Sequence, residues 1–351
     1  MQNYYAVGIM SGTSLDGLDL VFCKYNYTKR WAFEIIKAET ISYDKSWKEQ
    51  LKNAESLSGL ALTKLHKDYG RFIGEKINQF LHEIKDSPDL IASHGHTVFH
   101  QPEHKITLQI GDGAEIASAT GVTTISDFRS LDIALGGQGA PLVPIGDELL
   151  FNEYDYCLNI GGFANISMIK NQKRVAFDIC PANIVLNQLA NKLNQPFDID
   201  GNAGQLGTTD SNLLNQLNQI DFYQRPYPKS LGKEWIDEFI LPVLTRSALE
   251  INDQISTFYD HISDQITRII SGNPGKKVLV TGGGAYNKYL IERIRAKTQT
   301  QIIIPPKNII EYKEALIFGL LGILRLNRKI NCLSTVTGAK ASSSSGIIHL
   351  I

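Results

Sequence analysis

The sequence predicts an α/β protein built as two similar domains, each a mixed sheet flanked by helices, with a cleft between the copies. Three observations predict it. At 351 residues the chain is longer than one ordinary core accommodates. Apolar periodicity alternates between short strand-like runs and longer helix-like runs. The order strand, glycine turn, strand, strand, then helices and further strands, occurs twice, and no repeat appears at the short periods of solenoids.

Residues 4–10, 18–27 and 31–43 read as three successive strands joined by tight turns, and helices are expected around 45–56 and 59–86. "DLIASHGHTVFH" and "ITLQIG" read as strands, "DGAEIASATG" as a short helix closed by Gly121, and "TTISDF" as another strand. "GGQGAPLVP" (Gly136–Pro144) is dense in Gly and Pro and is expected near the passage between the halves. The domains are therefore expected at 1–132 and 133–351, with the C-terminal tail free to pack back on the first. In the second half "YDYCLNIGGFANISMIK" is a strand, a turn and a strand, and "KRVAFDIC" is a third. Helices follow at 183–193 and about 251–272, and "KKVLVTGGGAYN" is a strand entering a triple-glycine turn, with "QIIIP" a later strand. "ALIFGLLGIL" (Ala315–Leu324) is well short of the roughly 20 apolar residues of a membrane span and reads as a buried helix. "GAKASSSSGIIH", low in complexity, reads as a surface turn.

Composition narrows the function classes. Formal net charge is −1 with acids and bases interspersed, which gives nucleic acid or an anionic membrane no electrostatic handle. The four cysteines are far apart, without a C-x-x-C pair, so neither a zinc site nor a disulfide framework is expected and a reducing cytoplasm suits the chain. "MQNYYAVG" has no basic n-region or apolar h-region, so no secretory leader is expected.

The glycine turns carry the chemistry. "GIMSGTSLDG" (Gly8–Gly17), "NIGGFAN" (Asn159–Asn165) and "TGGGAYN" (Thr281–Asn287) each follow an apolar strand. A turn rich in Gly and hydroxyl residues offers several N–H and O–H groups to one point, which suits phosphate oxygens, though a tight hairpin also wants Gly. Neither G-x-x-x-x-G-K-[ST] nor a strand–G-x-G-x-x-G–helix unit occurs, so P-loop and dinucleotide folds lose support. Paired hairpin turns able to grip a polyphosphate resemble the superfamily of sugar kinases, heat-shock ATPases and actin.

"GIMSGTSLDGLDL", "TLQIGD", "DFRSLDIALGGQGAPLVP", "LNIGGFANIS", "PKSLGKEW", "LVTGGGAYN", "KEALIFGLL" and "TVTGA" occur in this order over nearly the whole chain. Together they resemble the anhydro-N-acetylmuramic acid kinase family. The resemblance implies an actin-like, sugar-kinase architecture and ATP-dependent opening and O6-phosphorylation of a 1,6-anhydro amino sugar in peptidoglycan recycling. It implies ATP and Mg²⁺ as cofactors and a small sugar as partner, with a homodimer in prospect and neither nucleic acid nor membrane. The alternatives are a kinase of the same superfamily for another amino sugar and a non-catalytic ATP-gated switch.

Water attack on an acetal carbon needs a carboxylate base, and phosphoryl transfer needs charge neutralisation. The family's base stands in F-D-T-G-P-G-N, which "FDICPAN" matches at Asp178; from the residues alone, Asp178 ends an apolar strand at a turn, where catalytic groups sit, with a cap for the following helix as the lesser alternative. The motif departs from the family at Ile179, Cys180 and Ala182, and Asn187 stands where an acid is usual. By the same resemblance Gly12, Thr13, Ser14, Leu15, Asp16, Gly17, Leu18 and Asp19 form the first ATP-phosphate segment, with Asp16 or Asp19 holding the metal through water. Gly161, Gly162 and Asn165 form the second phosphate turn, and Gly282, Gly283 and Gly284 lie against adenosine. His94, Arg129 and Glu314 are expected at the sugar: Arg129 suits a lactyl carboxylate, or instead pairs with Asp127 or Asp132, and Glu314 is also placed to favour its own helix dipole. His94, His96, His100 and His104 would form a metal cluster only on a straight strand, which Gly95 and Pro102 oppose.

Overall fold

In a computed structural model, which describes residues 2–12, 15–272 and 274–351, the chain divides into two compact units, Met1–Leu150 with Tyr312–Ile351, and Phe151–Glu311. The sequence boundary at 132/133 thus falls inside the first unit. Asp132 explains why Gly136–Pro144 stays there: its carboxylate accepts from the Gly139 N–H (2.8 Å) and the Thr337 hydroxyl (2.7 Å), tying the glycine-rich loop to the C-terminal segment.

The first unit holds a seven-stranded sheet of β1 (Gln2–Ser11), β2 (Gly17–Tyr27), β3 (Trp31–Ser42), β4 (Leu90–Gln101), β5 (Ile106–Ile110), β6 (Thr124–Ser126) and a C-terminal strand, Ile347–His349. Its main path runs β6-β4-β1-β2-β3, with β1, β4 and β6 parallel and β1-β2-β3 an antiparallel meander. Val7, Ile9, Leu20 and Phe22 are fully buried against Tyr69, Ile73 and Ile77 of the helix Gly59–Leu81, each worth about 1.5–3 kcal/mol. Alternation fails in β1 because Ala6 and Gly8 are covered too, by the apolar helix read at Ala315–Leu324. A Cβ on Gly8 would collide with the Ala315 carbonyl, and the Tyr25 hydroxyl donates to Leu316 O at 2.5 Å. Glycine is what lets that helix lie on the sheet.

The second unit repeats the plan with β7 (Tyr156–Ile160), β8 (Phe163–Lys170), β9 (Lys173–Pro181), β10 (Lys277–Thr281) and β11 (Gln301–Ile303), in the order β11-β10-β7-β8-β9. Again the first three strands form an antiparallel meander and the others join in parallel. One face, with Leu158, Ile166, Phe177 and Val280, packs on the helices Asn183–Asn191 and Ile251–Ile270.

One expectation is corrected. The serine-rich C-terminal stretch is no surface turn: Ser345 is fully buried, its hydroxyl donating to Phe128 O at 2.7 Å. The strand Ile347–His349, β12, pairs antiparallel with β6. Small hydroxyl side chains here satisfy buried carbonyls, which composition alone cannot distinguish from solvation.

Candidate active site

In the first unit, the first turn leaves β1 at Ser11 and enters β2 at Gly17. Leu15 adopts a left-handed φ of 59°, and its N–H reaches Gly12 O at 3.4 Å. Thr13 and Ser14 lie outside the described residues. Leu18 points into the core, so it can offer a ligand only backbone. Asp16 is exposed, whereas half-buried Asp19 accepts from the Thr40 hydroxyl at 2.6 Å. Beneath the turn, His96 Nδ1 meets the Ser11 hydroxyl at 3.1 Å, and Tyr43 donates to that same hydroxyl at 2.8 Å. Burial holds His96 neutral, its pKa lowered to about 4.

Arg129 pairs with neither Asp127 nor Asp132. Its Nε donates to His94 Nε2 at 2.9 Å and its Nη1 to Gly139 O at 2.5 Å, while Asp127 takes the Ser130 N–H. Because a guanidinium only donates, His94 Nε2 must carry the lone pair, and its Nδ1–H donates to Gly95 O at 2.9 Å. Burial lowers the His94 pKa, and the adjacent guanidinium lowers it further, so the tautomer stays neutral. Glu314 is the foremost charge favouring the Arg129 cation. Its own carboxyl reaches solvent yet is hemmed in by protein; that desolvation raises its pKa against the opposing pull of Arg129 and Lys313, with Asp19 and Asp147 raising it further. His94, Arg129, Glu314 and Asp19 are thereby one electrostatic group. The helix bearing Glu314 is pinned by a buried Lys313–Asp147 ion pair at 2.7 Å, which sequence reading missed. The other two histidines have separate partners, Thr107 for His100 and Glu103 for His104. Among the described residues no group of three or more His, Cys, Asp or Glu side chains is arranged to hold a metal.

The second unit explains its glycines in two ways. Gly282 has φ +80°, and a Cβ there would lie 2.6 Å from Asn159 Oδ1; at Gly284 it would strike Ile160. These are required by the fold. Gly161, Gly162 and Gly283 are different: none is among the positive-φ glycines, and a Cβ on each would meet only ordinary contacts of 3.4–3.7 Å. The fold itself therefore does not require glycine at these three positions. The Gly161 and Gly162 carbonyls meanwhile accept from the N–H groups of Asn183 (3.2 Å) and Ala182 (2.8 Å), seating the turn on the start of the helix Asn183–Asn191.

Register then assembles a polar row. Thr281 of β10 pairs with Asn159 of β7, Asn159 with Asn165 of β8, and Asn165 with Asp178 of β9. Directly opposed residues share a face with Cβ atoms about 5 Å apart. Asp178 therefore stands beside Asn165 of the "NIGGFAN" segment, on the face away from the apolar core. A β-bulge at Ile179 adjusts its aim. Asp178 caps no helix; its Oδ2 accepts the Leu231 N–H at 2.8 Å. Burial raises its pKa, and this hydrogen bond opposes the rise. Ile179, Cys180 and Ala182, where the motif departs from the family pattern, are all buried, so the departures point inward.

The repeated strand order, with a glycine-rich turn leaving the first strand of each unit, defines a duplicated α/β protein built on two mixed sheets. A family model described as Anhydro-N-acetylmuramic acid kinase matches residues 4–350. The anhydro-N-acetylmuramic acid kinase of Hydrogenovibrio crunogenus is 33% identical over 97% of this chain and 97% of its own. That of Vibrio cholerae is 33% identical over 98% of this chain and 97% of its own, and that of Pasteurella multocida 33% over 98% and 96%. The chain belongs to the anhydro-N-acetylmuramic acid kinase family and is a carbohydrate kinase.

Proposed function

We propose that the protein opens 1,6-anhydro-N-acetylmuramic acid with water and transfers the γ-phosphoryl group of ATP to the freed O6, yielding N-acetylmuramic acid 6-phosphate in peptidoglycan recycling. Water attacks the anomeric carbon, the C1–O6 bond breaks, O6 takes the phosphoryl group, and Asp178 takes the water's proton. The observation that carries this reading is the half-buried Asp178 carboxyl directly opposite Asn165, which sets a base beside a phosphate turn. In the second unit Gly161, Gly162 and Asn165 receive phosphate, while Gly282, Gly283 and Gly284 lie against adenosine.

The first unit supplies the Gly12–Asp19 segment for phosphate and the sugar contacts. Arg129, oriented by His94, pairs with the lactyl carboxylate, and Glu314, its pKa raised, bonds a sugar hydroxyl. Asp16 and Asp19 are hard oxygen donors at that segment and fit Mg²⁺ held through water. Mg²⁺ there would neutralise phosphate charge. No helix among the described residues is long and apolar enough to cross a membrane, and a cytoplasmic site of action follows from the nature of ATP and the recycled sugar.

Incubation with ATP, Mg²⁺ and the anhydro sugar tests the reading: ADP and a 6-phosphorylated reducing sugar should form in equal amounts. ADP without phosphorylated sugar would overturn it.

A further inference from the structure

The stretch "PKSLGKEW", conspicuous in the sequence, lies against Asp178. The Asp178 N–H donates to Lys229 O at 3.0 Å, and two residues on, the Leu231 N–H donates to the carboxylate Oδ2 at 2.8 Å. The loop thus extends the edge of β9 by two bonds, one to its backbone and one to its functional side chain. It is itself anchored. Lys229 Nζ donates to Phe222 O at 3.0 Å and stands 4.6 Å from the centre of the Phe222 ring, while Leu231 packs on the core of the same unit.

We propose that the Leu231 backbone amide is a positioning group for the reaction, holding Oδ2 of Asp178 so that Oδ1 is the oxygen that accepts the water's proton. This rests on Asp178 being the base. A carboxylate tied at one oxygen cannot swing about its terminal torsion, and base catalysis depends on that orientation. The same N–H bonds the ionised form and so works against the desolvation of the site. Of the neighbouring titratable groups, the Cys180 thiol on the same strand is buried on the inward side and the Lys229 ammonium is turned to Phe222; opposite the carboxylate, on β8, stands uncharged Asn165.

Leu231→Ala keeps the N–H and Leu231→Pro removes it. The alanine variant should stay within about threefold of wild-type kcat. The proline variant should lose up to about 100-fold, with KM for ATP within about twofold and the acid limb of kcat/KM moved to higher pH. A folded Leu231→Pro protein with wild-type kcat and an unmoved limb would overturn the proposal. A second measurement does not depend on that variant folding. In the wild-type protein the Leu231 amide proton should move downfield as pH rises, along one titration curve matching the acid limb, and Asp178→Asn should abolish the movement. A silent amide, with Asp178→Asn inactive, overturns the positioning role alone. Near-normal turnover by Asp178→Asn overturns the base and with it the proposal.

Discussion

Replacing Gly162 by Val separates the ligand's demands from the fold's. Gly162 is exposed, is not among the positive-φ glycines, and a Cβ on it would meet Ile184 at 3.7 Å, an ordinary contact. Folding should therefore tolerate the change, and the stiffer residue also restricts the unfolded chain, so the melting temperature should stay within a few degrees. ATP binding should not tolerate it. A hydrogen bond to a charged oxygen is worth about 1.5–3 kcal/mol. The Gly161 N–H already donates to Phe163 O at 3.1 Å, so displacing a phosphate from the Gly162 amide costs about 1.5–3 kcal/mol, a rise in Kd of roughly 10–10². Calorimetric titration with a non-hydrolysable ATP analogue reads the loss, and a thermal melt checks the fold. Unchanged affinity in a folded Gly162→Val protein would refute the assignment of "NIGG" as a phosphate turn.

Two further predictions concern titration and specificity. His94, His96 and His261 all have pKa values lowered chiefly by burial, His96 to about 4 and His261 to about 3. The unfolded chain, with histidines near 6.5, binds up to three more protons in the window between, so their stabilising contribution is full above pH 6.5 and is lost as pH falls towards 4. The unfolding free energy from urea titrations should drop by up to about 1.4 kcal/mol per pH unit for each proton. His96→Gln, which can still bond Ser11, should remove one proton from that slope; an identical slope would contradict the assignment. Arg129→Lys loses the fork that His94 and Gly139 O hold in place, so KM for the muramic substrate should rise by roughly 10–100-fold while an anhydro sugar lacking the lactyl group is unaffected. Equal losses on both sugars would show that Arg129 does not read the carboxylate.

The meander strands and the turns between them were legible because local apolar runs punctuated by glycine report local structure directly. Helix closure at Gly121 was legible for the same reason, and φ there is +67°. The row Thr281–Asn159–Asn165–Asp178 was only half legible. Asn165 and Asp178 stood in motifs, but Asn159 and Thr281 join them through strand register between segments far apart in sequence. Leu231 stood in the motif "PKSLGKEW", but nothing there pointed to its role, since its contribution is a backbone N–H and any residue but proline supplies one. The domain boundary was blurred because glycine and proline mark a turn without saying which core the turn packs on. Asp132, fully buried, decides that for Gly136–Pro144.

Asp178→Asn tests the central claim most directly. Asparagine keeps the shape and can still accept from the Leu231 N–H through its carbonyl oxygen, but it cannot take a proton from water. Base catalysis contributes about 10²–10⁴-fold, so single-turnover formation of the 6-phosphorylated sugar should fall by that much while ATP and anhydro-sugar affinities hold. Its residual rate should also lose the acid limb, which in the wild type should lie above the ordinary carboxylate value because burial raises the Asp178 pKa. Near-normal turnover in the Asp178→Asn protein, with the limb still in place, would assign the base elsewhere and contradict the account.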